Sequence, residues 1–233
     1  VIDDGRRGGQ NAATISNDTI VTIGADWLAE VMGAAAREVN LVWGDGAAIS
    51  PAPLLACLPA WFNILIDLKD LRSAYKGTPI VPEHIRAANL AVWDSVTSRW
   101  MFAETWSLIF GEAAAVNAFN RLPTLCVAAG RRLFASFVGA YFDDIITMDI
   151  EASEGSGARS TLRLLQAVGA PPSPEKHFPG ASHRTWLDMA INVAEVPTSG
   201  KIIVQAKDAS SLKLHRGVLA AIDSGRLSKA EAS

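Results

Sequence analysis

Tyr141-Phe142-Asp143-Asp144 places two adjacent carboxylates between two apolar, β-prone runs, residues 135–140 and 145–150. The pattern reads as strand, acidic tip, strand. Neighbouring carboxylates repel unless a cation lies between them and a third ligand. A rigid hairpin that offers hard oxygen ligands to a divalent metal suits enzymes that transfer nucleotidyl groups. Asp-Asp also favours a turn for purely local reasons, so the stretch alone leaves both readings open. Carboxylates without accompanying Cys/His clusters suit Mg²⁺, with Mn²⁺ as its substitute, better than zinc. His84, His177, His183 and His215 have no ligand spacing.

The chain that must position these acids has 233 residues, 49% of them hydrophobic, enough to bury a substantial core. Its net charge is −3, unevenly spread. Residues 201–233 hold six of the 21 Lys/Arg and three of the 24 Asp/Glu, a local +3 beside a body of −6. A basic tail beside an acidic body is compatible with a metal site in one and a polyanion near the other. Cys57 and Cys126 lie in apolar sequence without CxxC spacing and read as reduced core residues of an intracellular protein. No run of eighteen apolar residues lacks a charge, so a soluble protein with no membrane partner is expected. The chain opens on Val1 without an initiator Met, and Ser228 and Glu231 form a capping box with almost no helix after it. It reads as a piece of something longer.

Periodicity predicts a helix from Asp26 to about Asn40 and a strand over residues 61–66 that ends in Asp67-Leu-Lys-Asp70. A turn with a short helix follows at Pro79 and Pro82. Residues 91–93 and 100–103 suggest a hairpin. A helix runs from Glu112 to about Phe137, interrupted or kinked at Pro123. A second helix over 158–168 stops at Gly169 and Pro171-Pro172. Residues 184–194 and 201–204 read as strands, and 210–224 as a last helix. Intermixed strands and helices without regular βαβ alternation favour an α+β fold.

Taken in order, these stretches resemble the palm of a reverse transcriptase, the RNA-directed DNA polymerase of retroelements. Asp70-Leu-Arg-Ser-Ala-Tyr75 is similar to the family's Asp-x-x-x-Ala-Tyr, and Tyr141-Phe142-Asp143-Asp144 to its Tyr-x-Asp-Asp hairpin. Leu108-Ile-Phe-Gly111, followed by Phe119-Asn120, resembles its Leu-Pro-Phe-Gly loop and helix, with Ile109 in place of proline. Lys176 stands where the family places a lysine near the leaving pyrophosphate. Residues 184–191 occupy the place of its primer-gripping hairpin, with Asp188 for glycine. The opening residues with Arg6 and Arg7 are similar to a fingers segment.

The resemblance implies a right-hand polymerase palm, an antiparallel sheet packed on helices, over 61–195. Partial fingers would occupy 1–60 and the start of a truncated thumb 196–233. It implies two Mg²⁺ ions on Asp70, Asp143 and Asp144, with Lys176 as the cation or general acid at the leaving group. Leu71, Tyr75, Phe110 and Gly111 would line the nucleotide site, Tyr75 excluding a 2′-hydroxyl. The partners would be an RNA or DNA template with its primer and deoxynucleoside triphosphates. Two rivals stand beside this reading: a retroelement-derived domain that binds nucleic acid without polymerising, and an unrelated α+β interaction module.

Overall fold

The computed structural model describes residues 63–199 and 202–207 continuously, residues 22–24, and individual positions within 27–34 and 212–222. The expectations for the opening segment, Arg6, Arg7 and Cys57 lie outside the described residues. The fold is mixed α+β with antiparallel sheets. The chain divides into two compact units, the first taking in Asp67–Asp149 and Ser153–Gly180, the second Ile150–Ala152 and Ala181–Ser233.

A four-stranded sheet has the order β4-β5-β1-β6, where β1 is Ile64–Leu71, β4 Phe137–Tyr141, β5 Asp144–Ile150 and β6 Pro172–Ala181. β4 and β5 form an antiparallel hairpin in the register Val138↔Thr147 and Tyr141↔Asp144. Two helices, α1 (Ala113–Phe134) and α2 (Ser156–Ala167), share a core with the sheet. Leu71, Phe119, Cys126, Val138, Ile145 and Leu165 meet there, each no more than 3% exposed. Ala115, Phe119, Cys126 and Gly130 fall on one stripe of α1, as helical periodicity requires. At Gly130 a Cβ would meet Val138 Cγ1 at 2.8 Å, so the absent side chain lets the helix backbone lie close on β4.

Asp149 of β5 fastens α2 to the sheet. Its carboxylate accepts hydrogen bonds from the Gly157 and Ala158 N–H groups at 3.1 and 2.8 Å, satisfying donors that the first helical turn leaves unpaired. A Cβ on Gly157 would sit 2.5 Å from Asp149 Oδ1 and 3.3 Å from Ser136 Oγ. Gly157→Ala should therefore cost about 1–3 kcal/mol of stability, through overpacking and loss of charged hydrogen bonds. Urea unfolding measures this, and an unchanged midpoint would refute it. At its other end α2 closes with Gly169 at φ 77, the Ala170 N–H donating to Leu165 O at 2.9 Å and the Gly169 N–H to Gln166 O at 3.1 Å.

β2 (Asn89–Asp94) and β3 (Arg99–Glu104) form the two-stranded ribbon expected near residues 91–103. A third sheet comprises β7 (His183–Trp186), β8 (Met189–Asn192) and β9 (Ile203–Ala206). The stretch that periodicity reads as one strand over 184–194 is thus a hairpin, the form the resemblance implies for 184–191. Leu187 and Asp188 turn the chain at φ 49 and 60, and Lys207 Nζ donates to Asp188 Oδ1 at 2.6 Å. α1 continues through Pro123 as one helix and is not interrupted there. β1 does not end before its charges: Asp67 and Lys69 lie inside it at 4% and 1% exposure. The described positions among 27–34 and 212–222 are helical, as expected. Among the described residues, no helix is long and apolar enough to cross a membrane.

Candidate active site

The acidic residues gather at one end of the four-stranded sheet. The Leu71 N–H donates to Asp143 O at 2.9 Å, stitching the end of β1 to the β4–β5 turn. Within that turn Phe142 has φ 52, a left-handed conformation that costs a non-glycine residue about 1–2 kcal/mol. Packing holds it there. The Phe142 ring meets Tyr141 edge to face at a 5.0 Å centroid distance and also packs on the core. The turn thus spends its Phe on the interior and leaves Asp143 and Asp144 at the strand junction.

Burial and mutual repulsion act on both acids. Asp144 is pushed from its ordinary 3.8 up to about 6, first by desolvation, then by the charges of Asp143 and Asp70, with Lys176 partly offsetting them. The Asp143 carboxyl is also raised, chiefly by burial and further by Asp70. Lys176 extends from β6 and donates to Asp70 Oδ2 at 2.8 Å, which raises the lysine's pKa. Asp70, Asp143, Asp144 and Lys176 therefore form one electrostatic group drawn from three adjacent strands.

No protein-family model matches this chain, and no curated protein matches it.

Three hard-oxygen donors carrying excess negative charge suit a divalent cation. Asp70 is engaged by Lys176 in this conformation, and among the described residues no three His, Cys, Asp or Glu side chains converge as a metal-holding group. The donor chemistry fits Mg²⁺. The side-chain arrangement is that of a site whose positive charge is supplied by lysine.

Tyr75 sits in a 3₁₀ turn, Ala74–Gly77, directly after β1. Its ring lies tilted on Phe119 at 4.8 Å and meets Phe110 edge-on at 5.4 Å. Its hydroxyl pKa is raised by burial and then by Asp143. Phe110 is 67% exposed, and Gly111 has φ 97, a value natural only to glycine. The Leu108 N–H donates to Thr78 O at 3.0 Å, tying this loop to the segment after Tyr75. Leu71 departs from a nucleotide-contacting role for its side chain: it is 3% exposed and belongs to the core. Its contribution here is the N–H bond to Asp143.

Sequence reasoning missed two features beside this group. One is β6 itself, which carries Lys176. The other is a buried pairing on β1, where Asp67 contacts Lys69 through Oδ1 and His177 Nε2 through Oδ2, the latter at 3.1 Å. The alternation of polar residues in Asp67-Leu-Lys69 was the available signal for the second.

The raised acid gives a stability signature. Protonation of Asp144 is favoured in the folded chain, so its contribution is fully present below about pH 4 and is lost as pH rises through 6. Between pH 4 and 7 in chelator, the wild-type chain should lose about 1–2 kcal/mol relative to Asp144→Asn, after discounting for partial exposure. Urea midpoints measured in parallel for the two proteins would detect it; parallel pH profiles would count against the repulsive cluster.

Proposed function

We propose that this chain is the catalytic core of an RNA-directed DNA polymerase, a reverse transcriptase palm that joins a deoxynucleotide to a primer 3′-hydroxyl. The observation that carries this reading is the Leu71 N–H to Asp143 O bond, which ties the end of β1 to the acidic turn and brings the charge of Asp70, held by Lys176, to bear on Asp143 and Asp144. Such a group has no evident structural purpose, because burial and repulsion raise the pKa values of Asp143 and Asp144.

Asp70, Asp143 and Asp144 would hold the two Mg²⁺ ions, or Mn²⁺ in their place. When bound, such ions acidify the primer hydroxyl and neutralise charge on the triphosphate. The 3′-oxygen forms its bond to the α-phosphorus while the bond to the bridging oxygen breaks, releasing pyrophosphate. Lys176, kept protonated by its acidic neighbours, supplies positive charge and a proton to that leaving group. Tyr75, braced by Phe119 and Phe110, bounds the sugar. Template and primer are held through their backbones, so binding should weaken steeply with salt. By the same reading the basic residues from Lys201 onward begin the thumb.

Primer extension on RNA and DNA templates, with Mg²⁺ and all four deoxynucleotides, tests the proposal. Template-dependent products that vanish in chelator support it. Tight template binding without extension, in a protein that carries flanking sequence, would favour a domain that only binds nucleic acid. Asp188 and Ile109, which depart from the family pattern, are the observations behind that second reading.

A further inference from the structure

β6 is poorly equipped to find its own register. It lies at the edge of the sheet and contains Pro172, Pro174 and Pro179, none of which can donate to the ladder. Only Pro172 and Ser173 of its ten residues are buried. An apolar-in, polar-out alternation, the usual determinant of register, is therefore missing. Yet Lys176 reaches Asp70 only if the register is right.

Two side-chain pairs join β6 to β1. Successive residues on a strand point to opposite faces, so Lys176 and His177 engage β1 from opposite sides. The Lys176–Asp70 pair is open to solvent, with the lysine side chain 56% exposed, and exposed pairs hold little. The His177–Asp67 pair is sheltered, with Asp67 at 6% and His177 at 29% side-chain exposure. Lys69, buried on the same face of β1, contacts the other oxygen of Asp67 and holds that carboxylate in place.

We propose that Asp67, locked by Lys69, and His177 form a positioning pair that sets β6 at the one register in which Lys176 meets Asp70. A slip of one residue would turn His177 to the solvent-facing side and force Lys176 inward. A slip of two would carry His177 about 6.6 Å along the strand and strip Asp67 of its second partner. Buried charge pairs contribute little net stability, but a single satisfied arrangement is well suited to specifying register. The clamp stands on these contacts alone; its consequence for catalysis rests on the polymerase reading of Lys176.

Two neighbouring amides provide the test. The Arg72 N–H donates to Pro171 O at 3.1 Å, on the β6 side, whereas the Leu71 N–H donates to Asp143 O, on the β5 side. In His177→Leu, hydrogen exchange at Arg72 should accelerate about ten- to hundredfold, while Leu71 stays within about twofold of wild type. His177→Gln, whose amide nitrogen can replace Nε2, should restore Arg72. If His177→Leu does not fold, His177→Asn, polar but too short to reach Asp67, takes its place. Unchanged exchange at Arg72, or equal acceleration at both amides, would overturn the clamp. Primer extension supplies the second readout: kcat falls about tenfold or more in His177→Leu with the nucleotide KM unchanged, and recovers in His177→Gln. A wild-type chain that extends no primer would sink the polymerase reading while leaving the exchange result to decide the clamp.

Discussion

Asp143→Asn should reduce Mg²⁺-dependent primer extension about a hundred- to a thousandfold while leaving the protein more resistant to urea at neutral pH. The two effects share one cause. Burial and the Asp70 charge both disfavour the ionised Asp143 carboxyl, so the folded chain bears an electrostatic cost at neutral pH that an amide removes. The same negative charge is what a divalent ion and the triphosphate require. Asparagine preserves shape, and the Asp143 carbonyl that accepts from Leu71 belongs to the backbone and is kept. Single-nucleotide incorporation and urea unfolding on the same preparation check the pair of outcomes. Activity within tenfold of wild type would sink the metal-site reading. A fall in both activity and stability would make Asp143 a structural turn residue.

Tyr75→Ala should erode discrimination against ribonucleotides by about ten- to a hundredfold in kcat/KM ratio, with deoxynucleotide incorporation far less affected. The argument rests on rigidity. A ring selects by exclusion only when it cannot swing aside, and Tyr75 is held between the tilted face of Phe119 and the edge of Phe110. Tyr75→Phe keeps that ring and should retain selectivity, since exclusion depends on the ring and not on the hydroxyl. Paired incorporation assays with dCTP and CTP decide the matter. Equal loss with both nucleotides would show that Tyr75 merely supports the core, and Tyr75→Val, which keeps part of the packing, separates that outcome from misfolding.

The parts of this fold that could be read from sequence are those where local and tertiary preferences agree. The β4–β5 hairpin was legible because apolar runs bracket two acids. The end of α2 was legible because Gly169 and the following prolines admit little else. Where tertiary contacts override local preference, the reading failed. Prolines in β6 argue against a strand, yet an edge position tolerates them. Asp67 and Lys69 look like the end of a strand, yet they remain inside β1 because they contact each other. Leu187 and Asp188 offer no glycine to announce a left-handed turn, so periodicity alone reads one strand where the resemblance implies a hairpin. Asp70, Asp143, Asp144, Tyr75 and Lys176 were found through resemblance in order and spacing. Their placement on adjacent strands at one end of the sheet follows from the strand order β4-β5-β1-β6, which no local pattern encodes.

The β2–β3 ribbon has a spectroscopic consequence. Trp93, Trp100 and Trp106 are 50%, 59% and 67% exposed, whereas Trp186 is 3% exposed. Trp93 and Trp100 also face each other across the ribbon at 5.4 Å. Indole emission from these three already comes from a wet environment in the folded chain, so its wavelength changes little there when the core opens. Emission from these three will report chiefly on what touches them, whereas that of the buried Trp186 will shift when its own sheet opens. Backbone dichroism, which follows α1 and α2, is the probe that follows the core carrying the acids.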